Sequence, residues 1–159
     1  MEYPATKNGP FDRFLQHQEH MYAVALEELQ QGQKHSCWMW FIFPQLRILA
    51  RSRKAFVFGI IDLEYARMYL HHPVLGPRLI ACCQAMLTHQ DKTAEEILGE
   101  VDALKLRACA TLFSLVSRED SVFHQILHQF YGGRRDALTL SFASGRILDF
   151  TYRKFSPWQ

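Results

Sequence analysis

The sequence has no long hydrophobic run, no signal-peptide pattern and no strong excess of charge of one sign. Its longest apolar run, Trp38 to Phe43, is far shorter than the roughly 20 residues that cross a bilayer. No basic segment precedes an apolar one at the N-terminus, so we expect no signal peptide. The formal net charge is only +2, which argues against a nucleic-acid partner. We therefore expect a cytoplasmic protein that has no membrane partner.

Cysteine pairs and the familiar catalytic motifs are also missing. The four cysteines show no CxxC spacing, so reduced thiols are expected. No nucleophile elbow, phosphate-binding loop, dinucleotide fingerprint or paired-cysteine zinc pattern occurs. His124 and His128 have the i, i+4 spacing of metal ligands on one helix face, but the sequence offers no clear third ligand. We predict no metal and no cofactor, and the catalytic residues, if there are any, stay unassigned.

The residues that are present predict an all-α protein, a compact single-domain array of six to eight helices. Hydrophobic residues make up 48% of the chain and charged residues 21%, a composition that excludes disorder of the whole. Apolar positions recur at helical spacing from Phe11 to Leu29, and Gly32 ends that pattern. Strand alternation is nowhere sustained. The predicted organisation is an extended tail over 1–10, a helical domain over 11–142, and a C-terminal helix or tail over 143–159.

Helix boundaries are predicted from capping residues. Asp62 is expected to begin a helix, and Thr93 to Glu96 has the pattern of a capping box. Pro77 suits the first turn of another helix. Asp102 is expected to cap a helix over residues 103–116, and Asp136 to cap the one after the paired glycines.

The aromatic run from Trp38 to Phe43 could form a buried strand or a buried helix on periodicity alone. The helical neighbourhood and the abrupt Pro44 favour a short helix that ends near Ile42 or Phe43. In a helix, Trp38 and Trp40 would lie about 200° apart and face opposite sides. Because the run is apolar all round, we predict that it is central to the core. Contact between a tryptophan and a ligand is the alternative.

Polar side chains occur on faces that should be apolar. Gln18 lies on the apolar stripe of the first helix, where a leucine would be expected. Lys105 and Arg107 interrupt the first turns of an otherwise apolar helix. A buried cation is costly unless it is paired, and Asp102, three residues before Lys105, is a candidate partner. A simple capping role for Asp102 is the alternative.

Four blocks, KHSCWMWFIFPQL, HHPVLGPRL, DALKLRACATLF and YGGRRDALTL, resemble the bacterial domain-of-unknown-function family 1810, often labelled calpastatin. The resemblance covers Phe11 to Leu140 and implies a compact, mostly α-helical single domain. True calpain inhibitors are largely disordered, so the composition argues against that label. The positions that match the family pattern are Gln18, Lys34, Trp38, Met39, Trp40, Phe43, Pro44, Gln45, His72, Pro73, Gly76, Asp102 and Lys105. Cys37 stands where the family commonly has histidine.

Two functions of different classes are compatible with these residues. The first is a small-molecule site for a planar, anionic, nucleotide-like ligand, with or without catalysis, because pockets combine apolar walls with a few convergent polar groups. Its expected ligand-binding residues are Gln18, Lys34, Trp38, Trp40, Gln45, His72 and Lys105. The second is a non-catalytic protein-interaction module that uses the basic surface from Arg47 to Lys54. The first function requires the polar residues to converge on one open cavity. The oligomeric state is not predicted.

Overall fold

In the computed structural model, residues 9–145 are described, and they form nine α-helices and one 3₁₀ helix. The α-helices are α1 (Asp12–Gln31), α2 (Met39–Ile42), α3 (Arg53–Val57), α4 (Leu63–His71), α5 (Leu75–Leu87), α6 (Ala94–Leu98), α7 (Glu100–Ser114), α8 (Val122–Tyr131) and α9 (Ala137–Ala143). The 3₁₀ helix, Arg47–Leu49, lies between α2 and α3. The described residues contain no strand, only an isolated bridge between Leu46 and Ile60. The predicted all-α class is confirmed, and the described residues form nine α-helices where six to eight were predicted.

Helix α7 is the centre of the array, and most of its side chains are buried. It packs against α4, α6, α8 and α9, while α1 packs against α2 and α5. The aromatic run forms α2 and ends where predicted, at Ile42. Trp38, Met39 and Phe43 are almost completely inaccessible to solvent, so the run does contribute to the centre of the core. No helix within the described residues is long and apolar enough to cross a membrane.

Several predicted caps are present. The Asp62 carboxylate accepts a hydrogen bond from the Tyr65 backbone N–H at 2.8 Å and begins α4. The Thr93 hydroxyl and the Glu96 carboxylate each accept a hydrogen bond from the other residue's backbone N–H, both at 3.0 Å, as a capping box does before α6. The Asp136 carboxylate caps α9. The structure confirms these three caps. Each depends on residues within one turn of the helix start, so the local sequence is sufficient to form it.

Other boundaries differ from the prediction. Asp102 is not the cap of α7, which begins at Glu100 directly after Gly99. Gly99 has a φ of 88°, a conformation open to glycine, so α6 can end and α7 begin without a connecting loop. Helix α5 begins at Leu75, so Pro77 lies in its first turn, as predicted. Helix α3 was not predicted, because it has only five residues and its cap, Ser52, lies inside the basic run.

A close approach of two backbone segments positions the 3₁₀ helix. The Ile60 N–H donates to the Gln45 carbonyl at 2.9 Å, and the Arg47 N–H donates to the Ile60 carbonyl at 2.8 Å. Gly59 makes this approach possible, since a Cβ there would lie 2.5 Å from the Arg47 Cα. The predicted tail over 1–10 and the predicted segment over 143–159 lie largely outside the described residues, and those boundaries stay predictions.

Candidate functional site

One carboxylate in α1 organises the segment that leads into the aromatic run. Glu28 accepts hydrogen bonds from the backbone N–H groups of His35 and Ser36 at 2.6 and 2.9 Å. It also accepts from the Ser36 hydroxyl at 2.6 Å and from the Trp38 indole N–H at 3.0 Å. We refer to Glu28, His35, Ser36 and Trp38 as the Glu28 hub. The Trp38 side chain is fully buried and its one donor is satisfied, so the hub is closed.

The hub holds a negative charge well below neutral pH. Burial by itself would raise the pKa of Glu28, but the hydrogen bonds from Ser36, His35 and Trp38 outweigh it and lower the pKa from 4.5 to about 2. The carboxylate is therefore ionised when it accepts these four hydrogen bonds, and such charge-assisted bonds are stronger than neutral ones.

A second carboxylate, Asp102, connects the hub to α7. One of its oxygens lies 3.0 Å from the Lys34 ammonium and the other lies 3.4 Å from the Lys105 ammonium. The Lys34 ammonium is also 5.1 Å from the centre of the Trp38 ring, and that of Lys105 is 5.5 Å from the Trp40 ring. The predicted pairing of Asp102 with Lys105 is confirmed, and Lys34 is a second partner of the same carboxylate.

Trp40 has different surroundings from Trp38. Its side chain is only partly buried, yet the indole N–H is buried and has no hydrogen-bond acceptor among the described residues. Besides Lys105, the Lys54 ammonium lies 5.0 Å from the centre of the ring. The electron-rich ring of Trp40 attracts both ammonium groups, which is favourable. Neither ammonium group can accept a hydrogen bond from the indole N–H.

An open groove lies between the 3₁₀ helix, the first turns of α7 and the start of α9. Its volume is about 300 Å³. Most of its lining is aliphatic, from Ile48, Leu49, Ala50, Val101, Leu104, Ala108 and Leu138. Four polar side chains, Gln45, Arg51, Lys105 and Asp136, complete it. We name it the Leu104 groove. It presents an apolar surface with both cationic and amide groups on its wall.

Three aliphatic side chains of the Leu104 groove are unusually exposed. Val101 has 67% of its surface accessible, Leu104 58% and Leu138 47%. Isolated exposed hydrophobic residues are common, but a cluster beside polar groups is typical of a binding surface. These three residues lie together because α7 and α9 pack against each other.

A much smaller cavity of about 10 Å³ shares two lining residues with the groove. Gln45 and Lys105 line both, and Trp40, Met39 and Phe43 are among the other residues around the small one. Its volume is close to the space that a single water molecule needs. Trp40 therefore lies next to the groove residues without lining the groove itself.

The seven predicted ligand-binding residues divide into two groups. Trp40, Gln45 and Lys105 lie together at the Leu104 groove and the small cavity, and Lys34 reaches them only through Asp102. Gln18, Trp38 and His72 lie elsewhere, and each has partners of its own. Their role in ligand binding stays a prediction, whereas their packing partners are evident.

Gln18 is a buried connector between helices. Its amide nitrogen donates to the Phe41 carbonyl at 2.6 Å and to the Tyr69 hydroxyl at 3.3 Å. Its oxygen accepts from the Arg78 guanidinium at 3.4 Å. A leucine could not make these bonds, which explains a polar residue on the apolar face of α1.

His72 caps the next helix. Its Nδ1 accepts hydrogen bonds from the backbone N–H groups of Val74 and Leu75, at 3.1 and 3.2 Å. Since these are N–H groups at the start of α5, a side-chain acceptor there replaces the hydrogen bonds that the helix itself cannot supply.

The groove residues that the sequence reasoning missed are Arg51, Asp136 and all seven aliphatic residues, among them Leu104 and Leu138. Helix α7 was recognised as apolar nearly all round, and such a helix has more apolar surface than one core face can bury. The excess of apolar residues in α7 is the sequence feature that could have indicated an exposed Leu104. Arg51 was seen only as part of a basic run, because its position beside α7 depends on the Leu46–Ile60 bridge.

The histidine pair of α8 lies away from this groove. His124 and His128 line a separate open cleft with Glu119, and the His124 Nδ1 is 2.8 Å from the Ser121 hydroxyl. No group of three or more His, Cys, Asp or Glu side chains suited to hold a metal ion occurs in residues 9–145.

Comparison with protein-family models identifies the family of this chain. Residues 9–143 match the model of the family described as protein of unknown function DUF1810. The fold is similar to the crystal structure of the conserved hypothetical protein Rv1873 from Mycobacterium tuberculosis, with a TM-score of 0.82 and 40% identity. That match covers 84% of this chain and 96% of the other. Comparison with curated proteins gives no match. The chain therefore belongs to the DUF1810 family, as its motifs predicted.

Proposed function

We propose that this protein binds a small molecule in the Leu104 groove. The observation that supports this best is the convergence of polar side chains from separate elements on one aliphatic groove of about 300 Å³. Gln45 precedes the 3₁₀ helix, Arg51 follows it, and Lys105 comes from α7. Ligand pockets combine an apolar lining with a few such polar groups, and their volumes begin near this value.

The Trp40 side of the site adds a further argument. A buried N–H without an acceptor costs about 1–3 kcal/mol and calls for an explanation. A bound ligand or an ordered water would supply the acceptor that Trp40 lacks. Trp38, the N-cap of α2, needs no further acceptor because its indole N–H donates a hydrogen bond to Glu28.

Binding without catalysis is the activity that the lining of the groove supports. Among the described residues that line it, Asp136 is the one carboxylate. One of its oxygens already accepts hydrogen bonds from the backbone N–H and the hydroxyl of Thr139, at 2.9 and 2.6 Å. That arrangement is a helix cap, so this oxygen has a structural role at the start of α9.

A protein-interaction module is the second candidate function. It is favoured by the exposure of Val101, Leu104 and Leu138, whose side chains a protein partner would cover. Small-molecule binding and protein interaction would both use the Leu104 groove. The two candidate functions therefore differ in the size of the partner and not in where it binds. The expected basic surface from Arg47 to Lys54 borders it through Arg51.

Protein-detected NMR with a mixed library of acids, amines, nucleotides and neutral compounds tests the proposal. We expect at least one class to shift backbone amides of residues 45–51, 101–108 and 136–138 together. The variant Leu104→Asn should abolish these shifts. The matched control is Met68→Asn, since Met68 is a comparably exposed apolar residue on α4. If no compound shifts the groove amides, small-molecule binding is wrong and the interaction module becomes the better account.

A further inference from the structure

We infer that the ligand of the Leu104 groove is an aliphatic monocarboxylate with a short hydrocarbon chain. This inference rests on the proposed small-molecule function and narrows it to one chemical class. It departs from the nucleotide-like ligand expected from the sequence, because the charge and the lining of the groove both favour a smaller, singly charged compound.

The charge of the groove is small. Its lining contains the cations Arg51 and Lys105 and the anion Asp136, a formal sum of +1. Lys105 also shares its charge with Asp102 at 3.4 Å. A nucleotide monophosphate carries a charge of about −1.5 to −2 at neutral pH and would leave part of it uncompensated next to aliphatic side chains, which is costly. A single carboxylate matches the available charge.

Among the described residues, the lining offers aliphatic contact and no aromatic face. Nucleobases are usually held by stacking on aromatic rings. Trp40 lies beside the small cavity, with the ammonium groups of Lys54 and Lys105 at 5.0 and 5.5 Å from the centre of its ring. Leu49, Leu104 and Leu138 would instead contact a hydrocarbon chain. A groove of about 300 Å³ is at the lower limit of ligand pockets, which suits a short chain.

The polar groups can hold one carboxylate. A guanidinium such as Arg51 can bind both oxygens of a carboxylate at once. The Lys105 ammonium has three donors, so Asp102 leaves donors for a ligand. The Gln45 amide supplies a further donor on the same wall. Arg51 has no carboxylate partner within the described residues that would compete with the ligand.

Isothermal titration calorimetry with three probes tests this inference: sodium octanoate, octanamide and adenosine monophosphate. We expect octanoate to bind at least tenfold more tightly than octanamide, which has the same chain without the charge. Adenosine monophosphate should bind no more tightly than octanamide. Arg51→Gln should weaken octanoate about tenfold and leave octanamide unchanged, whereas Leu104→Asn should weaken both.

Two control variants keep the result specific, and thermal melting of each variant shows that it is folded. Arg118→Gln removes a highly exposed cation and Met68→Asn an exposed apolar side chain, both outside the lining of the groove. Neither should change octanoate binding. If Arg51→Gln and Leu104→Asn leave octanoate binding unchanged, octanoate binds elsewhere and the inference is wrong.

The failure of this inference is distinguishable from the failure of the proposed function. Tighter binding of adenosine monophosphate than of octanoate, lost in Leu104→Asn, would overturn the monocarboxylate and keep the small-molecule site. No binding by any of the three probes would also overturn the monocarboxylate, and the library screen by NMR would then decide the function separately.

Discussion

Trp38 and Trp40 are two residues apart in one short helical segment, but their surroundings are opposite. Trp38 is fully buried, its indole N–H donates to Glu28 at 3.0 Å, and Lys34 lies over its ring. Trp40 is partly buried, its N–H has no acceptor among the described residues, and it lies beside an open groove. The surroundings of Trp38 are closed to solvent and satisfy its hydrogen-bond donor. The surroundings of Trp40 leave its donor without an acceptor among the described residues.

The comparison shows that residue type alone does not assign a role. The two indoles differ in their surroundings although only Met39 separates them, because Trp38 is the N-cap of α2 and Trp40 lies within the helix. Trp38 packs towards α1, where Glu28 accepts a hydrogen bond from its indole N–H. Trp40 lies near the groove, where the ammonium groups of Lys54 and Lys105 lie over its ring. Asp102 joins the two regions because its two oxygens hold Lys34 and Lys105.

The largest expected difference between the two regions is the cost of losing each indole. Trp38→Ala should destabilise the fold by about 3–5 kcal/mol, because a large aromatic side chain is removed from a close-packed interior. Trp40→Ala should cost less than half as much, since its side chain is only partly buried. Urea unfolding measures both. Equal losses would show that the two regions are packed alike and would contradict the comparison.

The next expected effect concerns the charge of the Glu28 hub. Glu28→Gln should lower the free energy of unfolding by about 1.5–3 kcal/mol, because hydrogen bonds to a charged group become neutral ones. Glu27→Gln is the matched control, since Glu27 is on the same helix and accepts an exposed hydrogen bond from the Gln31 side chain. A loss of the same size in both variants would contradict a special role for Glu28.

The same carboxylate predicts an acid dependence of stability. The pKa of Glu28 is lowered from 4.5 to about 2 in the folded protein, so the unfolded chain takes up the proton first. The stabilisation is complete above pH 4.5 and is lost as the pH falls towards about 2. Urea unfolding at a series of pH values should show this decline in the wild type. The decline should be smaller in Glu28→Gln, and an unchanged decline in that variant would assign it to other groups.

Replacing each tryptophan by phenylalanine should destabilise the fold less than replacement by alanine, and again more at Trp38 than at Trp40. Trp38→Phe should cost about 1–3 kcal/mol, because Glu28 loses a donor in a buried place. Trp40→Phe should stay within about 1 kcal/mol of the wild type, since the lost packing is offset by removal of an unsatisfied donor. Thermal melting compares the two. A larger loss for Trp40→Phe would mean that its N–H has a stabilising partner in solution.

The smallest expected effect on stability is that of Lys105→Met. Asp102 would keep its 3.0 Å ion pair with Lys34, and a partly exposed ion pair contributes only about 0–1 kcal/mol. Binding of octanoate should nevertheless weaken about tenfold. Asp102→Asn is the informative companion, because it removes the partner of both lysines and should destabilise more. A loss of several kcal/mol in Lys105→Met would assign Lys105 to the core instead.

Local sequence was sufficient to predict much of the fold and little of the candidate site. The caps Asp62 and Thr93 and the helix α2 follow from neighbours within four residues, so they could be read directly. The partner of Lys105 was also local. The Gln18 contacts with Phe41 and Tyr69 join residues far apart in the chain, and no residue pattern indicates them.

The groove itself depends on the packing of three elements that are distant in sequence. Arg51, Leu104 and Leu138 meet because the Leu46–Ile60 bridge and the contact of α7 with α9 bring them together. The sequence also indicates Trp40, Gln45 and Lys105, but it does not separate them from Trp38 or His72. All are polar or aromatic residues in apolar blocks, and only their contacts distinguish them.

The indole N–H resonances of Trp38 and Trp40, followed by NMR during a titration with octanoate, test the central contrast most directly. The variants Trp38→Phe and Trp40→Phe assign the two signals. We expect the Trp40 signal to shift progressively with octanoate and the Trp38 signal to stay in place, because only Trp40 lies beside the groove residues Gln45 and Lys105. A shift of Trp38 with no shift of Trp40 would contradict the division into a closed hub and an open site, and so would two unmoved signals at saturation.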